Sequence, residues 1–500
     1  MPWKSALSLI LALLLAVGAL SVDAFAAKRA PAVAGAFYPG DPAELKKAVD
    51  ESLAKAPQPP KLAGPVVSLM VPHAGYAFSA TVAAAGYKAV SDSYDVVVVF
   101  GAAHAMPVPA AALDDVEAFE TPLGDVPVDR NLTSRLLQDK ALFQDMPQAH
   151  VREHSIEVQL PFLIRLLKPG FKLLPILMNT DDRLLCARVG KAVAAALKGK
   201  KALIVVSSDL SHYPAGALAG KVDRTTLLAL ERLDPDYFGL TSRILMGRGE
   251  KNLECTYCGE AGLLAAMSAA KELGADRGTL LRYMNSADTP LGESGRAVGY
   301  AAMAFIRSGN PLSSEILLSP EQKKSLLKEA REVISLGLEG KPIGSSLDAE
   351  PVMNLPSAAF VTLTEDGRLR GCVGTTQAQF TLKDAVAFGA FSAAFRDTRF
   401  SPVTKDELPK IHVEVSLLSP SKPVPGHESI VPKTHGVILS QEGRSGLFLP
   451  QVWEQIPKKE DFLTKLCVEK AGLPADCWKD PKTQIRVFTV GAFEEPKPGN

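Results

Sequence analysis

Several side chains that can bind a metal ion come directly after long apolar runs of the sequence. His73 follows GPVVSLMVP, His104 follows YDVVVVFGAA, and Asp209 with His212 follows KALIVVSS. Continuous apolar runs of this length are typical of strands that are buried on both faces of a parallel sheet. Because the carboxyl ends of such strands share one edge, where ligands bind, we expect these four side chains to converge on one crevice.

A thiol extends this set of potential metal ligands. The segment CTYCG carries Cys258, which can reach the same edge through the fold. Two imidazoles with a carboxylate are typical of non-haem iron sites, and a thiolate shifts the preference toward zinc or copper(I). His73, His104 and Cys258 therefore predict a site for one transition-metal ion. Asp209 and His212 would be further ligands or acid–base groups. The alternative is a set of hydrogen-bonded loop residues that hold no metal.

Two further patterns in this region allow more than one interpretation. His154 and Glu157 lie three residues apart in EHSIEVQL and would share one face of a predicted helix. They are either partners that orient the metal ligands or a charge pair at the start of the helix. Cys255 and Cys258 form a CxxC pair, which is alternatively a redox couple or a disulfide. A disulfide would remove Cys258 from the metal ligands.

The elements that would position these residues alternate between strands and helices. Strand-like runs are GPVVSLMV, YDVVVVFG, FKLLPILM, KALIVVSS, LLRYMN and GYAAMAFI. Helix-like runs include PAELKKAVDESLAKA, SIEVQLPFLIRLLK and GEAGLLAAMSAAKELG. This alternation predicts an α/β domain with a largely parallel sheet flanked by helices, which we place at residues 29–308.

A second domain is predicted after a polar linker at residues 309–316, which contains Gly and Pro. Ser319, Pro320 and Gln322 supply the N-cap, the first-turn proline and the capping-box partner of a helix that runs to Gly340. Beyond it, two hairpin signals, a helix and a strand predict a separate α+β domain over residues 317–494.

The composition excludes several classes of protein. The 500 residues are 47% hydrophobic and 22% charged, which is typical of a globular chain and not of a disordered or polytopic membrane protein. The 55 basic and 55 acidic residues cancel, and no basic run is present. Nucleic acid is therefore not expected as a partner.

The N-terminus reads as a secretory signal peptide over residues 1–26. Lys4 precedes the apolar stretch LSLILALLLAVGAL, and Ala24 and Ala26 supply the small side chains expected before a cleavage site. We expect cleavage before Ala27 and export to the periplasm or the exterior, with no stable membrane span afterwards. An uncleaved membrane anchor is the alternative.

Six ordered motifs of the first domain resemble the Memo family over residues 29–307. They are APAVAGAFYPGDPAEL, VPHAGYAFSA, GAAH, EHSIEVQLPFL, VVSSDLSHY and the CG pair at 258–259. That family is similar in fold to class III extradiol dioxygenases, and the resemblance implies an iron- or copper-binding pocket. The family's pocket residues match His73, His104, Asp209, His212 and Cys258. The chain departs from the family at Ala105, where a second histidine often follows the first, and at Cys255, an additional thiol.

The second domain resembles the AMMECR family over residues 317–493. The motifs are FVTLTEDGRLRGCVGT, AAFRDTRFSPV, IHVEVSLLSP, GVILSQEGRSGLFLPQV and FLTKLCVEKAGL. The LRGCIG signature of that family appears here as LRGCVG, with Cys372 between glycines and near Arg370. Cys372 is either a reactive thiol or a packed strand residue, and Cys467 with Cys477 is either a disulfide or a reduced pair.

These observations lead to three hypotheses of function. The first is a dioxygenase-like oxidoreductase that depends on iron or copper, acts on a small molecule of unknown identity and carries the AMMECR-like domain as an accessory. The second is a non-catalytic metal-binding or interaction protein, and the third is a zinc-dependent hydrolase. The fused pair of domains resembles two members of the AmmeMemoRadiSam set, which implies a functional link to a radical SAM protein.

Overall fold

The computed structural model describes residues 28–313, 315–344 and 346–496. The predicted signal peptide lies outside the described residues. The first half of the chain, up to Ile306, builds an eight-stranded sheet and a two-stranded ribbon. Its strands in chain order are β1 (Val66–Val71), β2 (Val96–Ala102), β3 (Ala111–Leu113), β4 (Ala118–Phe119), β5 (Val126–Pro127), β6 (Phe143–Asp145), β7 (Lys172–Met178), β8 (Ala202–Ser207), β9 (Arg277–Asn285) and β10 (Gly299–Ile306).

The large sheet is parallel at its centre and antiparallel toward one side. The strand order is β6-β3-β7-β2-β8-β1-β10-β9. Strands β7, β2, β8 and β1 run parallel to one another, whereas β10 is antiparallel to both of its neighbours. Strand β2 is buried along its whole length, as expected where both faces of a sheet are covered. The predicted α/β domain with a largely parallel sheet is confirmed.

Helices cover both faces of this sheet. They are α1 (Pro42–Lys55), α2 (Tyr76–Tyr87), α3 (Arg130–Leu136), α4 (Pro147–Val151), α5 (Leu160–Leu166), α6 (Arg183–Ala196), α7 (Gly216–Glu231), α8 (Pro235–Gly247) and α9 (Glu260–Glu272). Because side chains alternate along a strand, successive residues of β2 belong to different cores. Val98 belongs to the core that includes Val189 of α6 and Leu263 of α9, and Val97 to the one that includes Phe162 of α5.

The predicted helix over SIEVQLPFLIRLLK is shorter than expected. A 3-10 turn at Glu157–Gln159 precedes α5, which begins only at Leu160. Pro161 occupies the first turn of α5, where its missing N–H costs no helical hydrogen bond. His154 therefore lies before the helix and not on it, and its direction differs from that of Glu157.

The second half of the chain forms antiparallel sheets with separate helices, which confirms the predicted α+β class. Its strands are β11 (Pro356–Glu365), β12 (Arg368–Gly374), β13 (Phe380–Thr381), β14 (Ile411–Leu418), β15 (Lys422–Val424), β16 (Gly436–Gln441), β17 (Arg444–Phe448), β18 (Gln484–Phe488) and β19 (Val490–Glu494). Its helices are α10 (Pro320–Leu338), α11 (Leu382–Phe395), α12 (Val452–Gln455) and α13 (Lys459–Lys465).

Local signals of the second half behave as the sequence predicts. Ser319 and Gln322 form the capping box of α10. Asp366 and Gly367, at the turn between β11 and β12, both have positive φ, which a tight two-residue hairpin turn requires. Of the two alternatives that the sequence left open for Cys467 and Cys477, the structure contains the disulfide.

The two halves share a buried surface. Leu355, which precedes β11, belongs to the core of the first half. Tyr237 of α8 donates a hydrogen bond to the carbonyl of Pro356 at 3.0 Å, and Lys221 of α7 donates to that of Leu347 at 2.9 Å. The segment just before β11 therefore docks the second half onto α7 and α8.

Within the described part of the chain, no helix combines the length and the apolar character needed to cross a bilayer.

Candidate metal centre

Potential metal ligands lie just beyond the ends of three neighbouring strands. Strands β1, β8 and β2 are neighbours in the sheet and run in the same direction. His73, Asp209 and His104 each lie two residues beyond the end of β1, β8 and β2, respectively. Equal offsets from parallel neighbours place the three residues at the same edge of the sheet, as the sequence predicts.

Three imidazoles form the first cluster at this edge. His73, His104 and His154 each offer a ring nitrogen, and these atoms lie within 4.8 Å of one another. The ring centroids are 5.2 Å apart for His73 and His104, 5.3 Å for His73 and His154, and 4.7 Å for His104 and His154. His104 is the most accessible of the three, with 38% of its side chain exposed. Such spacing suits donors that surround a single ion.

His73 also belongs to a second cluster, with Asp209 and Cys258. The ligand atoms of these three residues again lie within 4.8 Å of one another. Cys258 Sγ is 3.0 Å from His73 Nε2, and Asp209 Oδ2 is 3.9 Å from the same nitrogen. Asp209 Oδ1 accepts a hydrogen bond from the main-chain N–H of His73 at 2.8 Å. Cys258 reaches this position because it lies two residues before α9, next to Gly259 in the left-handed conformation.

Glu153, which the sequence reading missed, orients two of the imidazoles. Its Oε1 atom lies 3.0 Å from His104 Nδ1 and 3.4 Å from His154 Nδ1. The same carboxylate accepts main-chain hydrogen bonds from His104 and from Ser155. Glu153 is 2% exposed. It is therefore a buried group that holds its hydrogen-bond partners in place, and not a surface charge in contact with solvent. The feature of the sequence that could have indicated this role is the position of Glu153 directly before His154.

The expectation that His154 and Glu157 share one face of a helix is wrong. His154 is a member of the imidazole cluster, whereas Glu157 forms a buried ion pair with Arg29 and accepts a hydrogen bond from Tyr38 at 2.6 Å. The break before α5 turns the two side chains in different directions. Glu157 therefore holds the N-terminal segment that contains Arg29, and His154 takes a place among the potential ligands.

His212 lies beside the clusters and belongs to neither of them. Its Nδ1 atom is 2.9 Å from the carbonyl of Leu210 and 3.4 Å from Cys255 Sγ. Cys255 and Cys258 are both free thiols in this structure, so Cys258 keeps its sulfur available at the site. The structure therefore does not place His212 among the potential ligands of either cluster.

Comparison with known proteins identifies the family of each half of the chain. A family model described as Memo-like protein matches residues 29–304, which is more than half of the chain. The chain belongs to the Memo family. A second model, AMMECR1, matches residues 327–493. We call these two regions the Memo half and the AMMECR half.

Curated relatives correspond to the Memo half. A MEMO1 family protein from Methanopyrus kandleri is 34% identical over 290 residues, with 56% of this chain and 99% of the relative covered. A MEMO1 family protein from Aquifex aeolicus is 36% identical over 278 residues, with the same coverage.

Among solved structures, an uncharacterized protein from Pyrococcus horikoshii has 35% identity and a TM-score of 0.33, with 36% of this chain and 95% of that protein covered.

Burial keeps two of the three imidazoles of the first cluster neutral. Burial, reinforced by the charge of His104, lowers the pKa of His73 to about 3. Burial likewise lowers the pKa of His154 to about 4. Burial also acts to lower the pKa of His104, but the hydrogen bond and charge of Glu153 outweigh it and the net pKa is raised. Neutral imidazoles carry the lone pair that a metal ion needs.

The carboxyl and thiol of the second cluster favour their protonated forms. Burial raises the pKa of Asp209, and burial with the charge of Asp209 raises that of the Cys258 thiol. A metal cation offsets both effects, because it supplies positive charge and displaces the thiol proton. The donor set of imidazole nitrogens, one sulfur and one carboxyl therefore fits a transition-metal ion.

The glycine-flanked Cys372 of the AMMECR half lies in a different setting. A Cβ atom at Gly371 would be 2.2 Å from the carbonyl oxygen of Ala393 in α11, so the LRGCVG signature allows β12 to pack closely against this helix. Cys372 Sγ is 3.4 Å from Thr362 Oγ1, and Arg370 pairs with Glu407. These contacts favour the packing interpretation of Cys372 over the reactive one.

Proposed function

We propose that this chain is a metal-dependent oxidoreductase that uses one iron or copper ion. The observation that carries the proposal is the position of His73, which belongs to both donor clusters. His73, His104, His154 and Cys258 would hold a single ion. Asp209 would be either a further ligand or a proton-transfer group. Either metal would supply the electron transfer that oxygen-dependent chemistry requires.

The chain's own residues would divide the remaining work. Glu153 holds the rings of His104 and His154 in place through their Nδ1 atoms. The exposed part of His104 marks the side from which a small molecule would approach. The carboxyl of Asp209 and the imidazole of His212 are the candidates for proton transfer, since Asp209 holds a proton more firmly than an ordinary aspartate.

A second candidate function is metal binding without turnover. It is favoured by the 3.0 Å contact between the Cys258 sulfur and His73, because sulfur and imidazole together suit copper(I) as well as iron. Zinc with a bound water would use the same ligands for hydrolysis.

The test is elemental analysis of residues 27–500 purified without added metal and without oxygen. We expect about one equivalent of iron or copper in the wild type and none in a His73→Ala, His104→Ala double variant. The matched control is His412→Ala, His435→Ala, which removes two imidazoles from the AMMECR half and should leave the metal content unchanged. Metal retained at full stoichiometry in the first variant would refute the site.

The identity of the metal then separates the candidate functions. Iron, or copper that changes oxidation state in the presence of oxygen, favours the oxidoreductase. Tight copper(I) without turnover favours a binding protein, and zinc with hydrolytic activity favours the hydrolase. A wild-type chain that binds none of these ions would leave the interaction protein as the better explanation.

We also propose that the mature chain is exported and begins at Ala27. The signal-peptide pattern of residues 1–26 supports export, and the Cys467–Cys477 disulfide suits an oxidising compartment. Mass spectrometry of the chain recovered from the periplasm or the medium should give a first residue of Ala27. An N-terminus at Met1 in the membrane fraction would instead indicate an anchor.

For the AMMECR half we propose an accessory role and a functional link to a radical SAM protein. The domain boundary is proposed at residues 309–316, of which 309–313 are exposed. Limited proteolysis should cut first in this segment, and cleavage inside either half before the linker would overturn the boundary. Co-purification with a radical SAM protein from the native host would test the link, and its loss after deletion of residues 317–494 would place the contact on the AMMECR half.

A further inference from the structure

Beneath the metal cluster, a buried hydrogen-bond network ends on the ring of His73. Its members are Tyr87, Gln159, Ser207, Ser155 and His73, and each of these residues is at most 2% exposed. The network contacts Nδ1 of His73, the ring nitrogen on the opposite side from Cys258. Because these groups are buried, their hydrogen-bond partners are other groups of the protein.

The side-chain amide of Gln159 has only one satisfactory orientation. Its Nε2 atom donates to the carbonyl of Pro72 at 2.9 Å and to Ser207 Oγ at 2.8 Å, and its Oε1 atom accepts from Tyr87 at 3.0 Å. Rotating the amide would place two oxygens against each other at Pro72. Both amide hydrogens are therefore used, and one of them points at the hydroxyl of Ser207.

The hydroxyl of Ser207 has a single proton, which is also committed. Ser207 Oγ donates to the main-chain carbonyl of Ser155, a group that can only accept. With one lone pair occupied by Gln159, the remaining interaction of Ser207 Oγ is the 3.2 Å contact with His73 Nδ1. Since the serine proton is used elsewhere, this contact requires that His73 donate.

We infer that Ser207, held in place by Gln159, fixes His73 in the tautomer that carries its proton on Nδ1. The Nε2 atom of His73 then has a free lone pair directed at Cys258 Sγ, 3.0 Å away. Ser207 and Gln159 are thus positioning residues, which act on the site through His73. The proton on Nδ1 follows from the hydrogen bonds, whereas the use of Nε2 as a metal ligand rests on the proposed function.

Nitrogen NMR of the histidine rings in the metal-free chain tests the tautomer directly. We expect long-range proton–nitrogen correlations to show His73 with a protonated Nδ1 and a bare Nε2, with His73→Gln used to assign the signals. The opposite tautomer in the wild type would overturn the inference. Ser207→Ala removes the acceptor and should populate both tautomers, and an unchanged His73 signal in that variant would refute the role of Ser207.

A matched control separates this role from general packing. Ser68 on the neighbouring strand β1 is also fully buried, and its Oγ has no hydrogen-bond partner within the described residues. Ser68→Ala should leave the His73 signals and the affinity for cobalt(II), followed by its visible spectrum, unchanged. Ser207→Ala should weaken that affinity by about 10- to 100-fold.

The two proposals fail in different ways. If the wild type shows the expected tautomer but binds no cobalt(II), iron or copper, the metal function is lost while the tautomer assignment is supported. If the wild type binds metal but Ser207→Ala and Ser68→Ala have the same affinity, the metal function stands and the positioning role is overturned.

Discussion

The Memo half gathers its reactive side chains at one edge of a sheet, whereas the AMMECR half distributes them along its strands. In the Memo half, the parallel neighbours β1, β8 and β2 end at the same edge, and each is followed two residues later by a donor. In the AMMECR half, consecutive strands are antiparallel and end at opposite edges. Parallel topology thus concentrates residues that are far apart in the sequence, and antiparallel topology does not.

One ion pair from each half illustrates a difference in burial. Arg29 and Glu157 of the Memo half form an ion pair with side-chain exposures of 3% and 0%. Arg399 of the AMMECR half pairs with Asp397, but 55% of the Arg399 side chain is exposed. The buried pair holds the chain segments around the metal cluster, so we expect it to matter far more for stability.

The largest expected effect tests this difference in burial. Arg29→Met should lower the free energy of unfolding by about 3–5 kcal/mol, because the Glu157 carboxylate would remain buried without its cation. The matched change Arg399→Met should cost no more than about 1 kcal/mol. Urea denaturation of the two variants measures both values. Equal losses would remove the contrast between the halves.

A smaller effect tests how separate the halves are. Leu355 precedes the first strand of the AMMECR half but is buried in the core of the Memo half. Leu355→Ala should therefore destabilise the Memo half by about 3 kcal/mol, whereas Leu369→Ala, at a site that is 43% exposed, should cost less than about 0.5 kcal/mol. Calorimetry can follow the melting of both halves. A shift confined to the AMMECR half would show that the halves are independent.

The pH dependence of stability should have opposite signs at two carboxyl groups. Burial raises the pKa of Asp223, in the Memo half, to about 7. The hydrogen bond from Arg370 lowers the pKa of Glu407, in the AMMECR half, to about 2. The folded chain keeps a proton on Asp223 that the unfolded chain releases near pH 4, so stability falls as the pH rises toward 7. At Glu407, stability is present above about pH 4.5 and is lost as the pH falls toward 2.

Asp223→Asn isolates the first of these effects. Between pH 5 and pH 7 the wild type should lose on the order of 2 kcal/mol relative to this variant, which has no carboxyl to ionise. Denaturation at a series of pH values gives the difference between the two curves. Parallel curves over this range would mean that Asp223 is ionised in the folded chain.

The smallest expected effect on stability is that of a cysteine-to-serine substitution, which can be made in each half. Cys372→Ser should change the stability of the AMMECR half by less than about 1 kcal/mol and leave the metal content unchanged. Cys258→Ser should weaken metal binding, because it removes the sulfur that faces His73. A specific loss of activity in Cys372→Ser, with the fold intact, would make Cys372 a nucleophile.

Local signals in the sequence were sufficient for much of the architecture. The apolar runs before His73, His104 and Asp209 predict buried parallel strands, and the shared edge follows from that topology. The capping box at Ser319 and the turn at Asp366 are likewise confirmed, because both depend on residues only a few positions apart.

Only the tertiary structure decided which side chains face the site. His154 and Glu157 are three residues apart, yet a break in the backbone turns one toward the other histidines and the other toward Arg29. The orienting role of Glu153 depends on the approach of His104, 49 residues away in the sequence. Such contacts form between segments that fold together from distant parts of the chain, so no local pattern encodes them.

The same distinction applies to the two halves of the molecule. The sequence by itself determined that an α/β half and an α+β half exist, since periodicity and turn residues act over short distances. It did not determine that Leu355 completes the core of the other half. That contact depends on complementary surfaces, which exist only once both halves have folded.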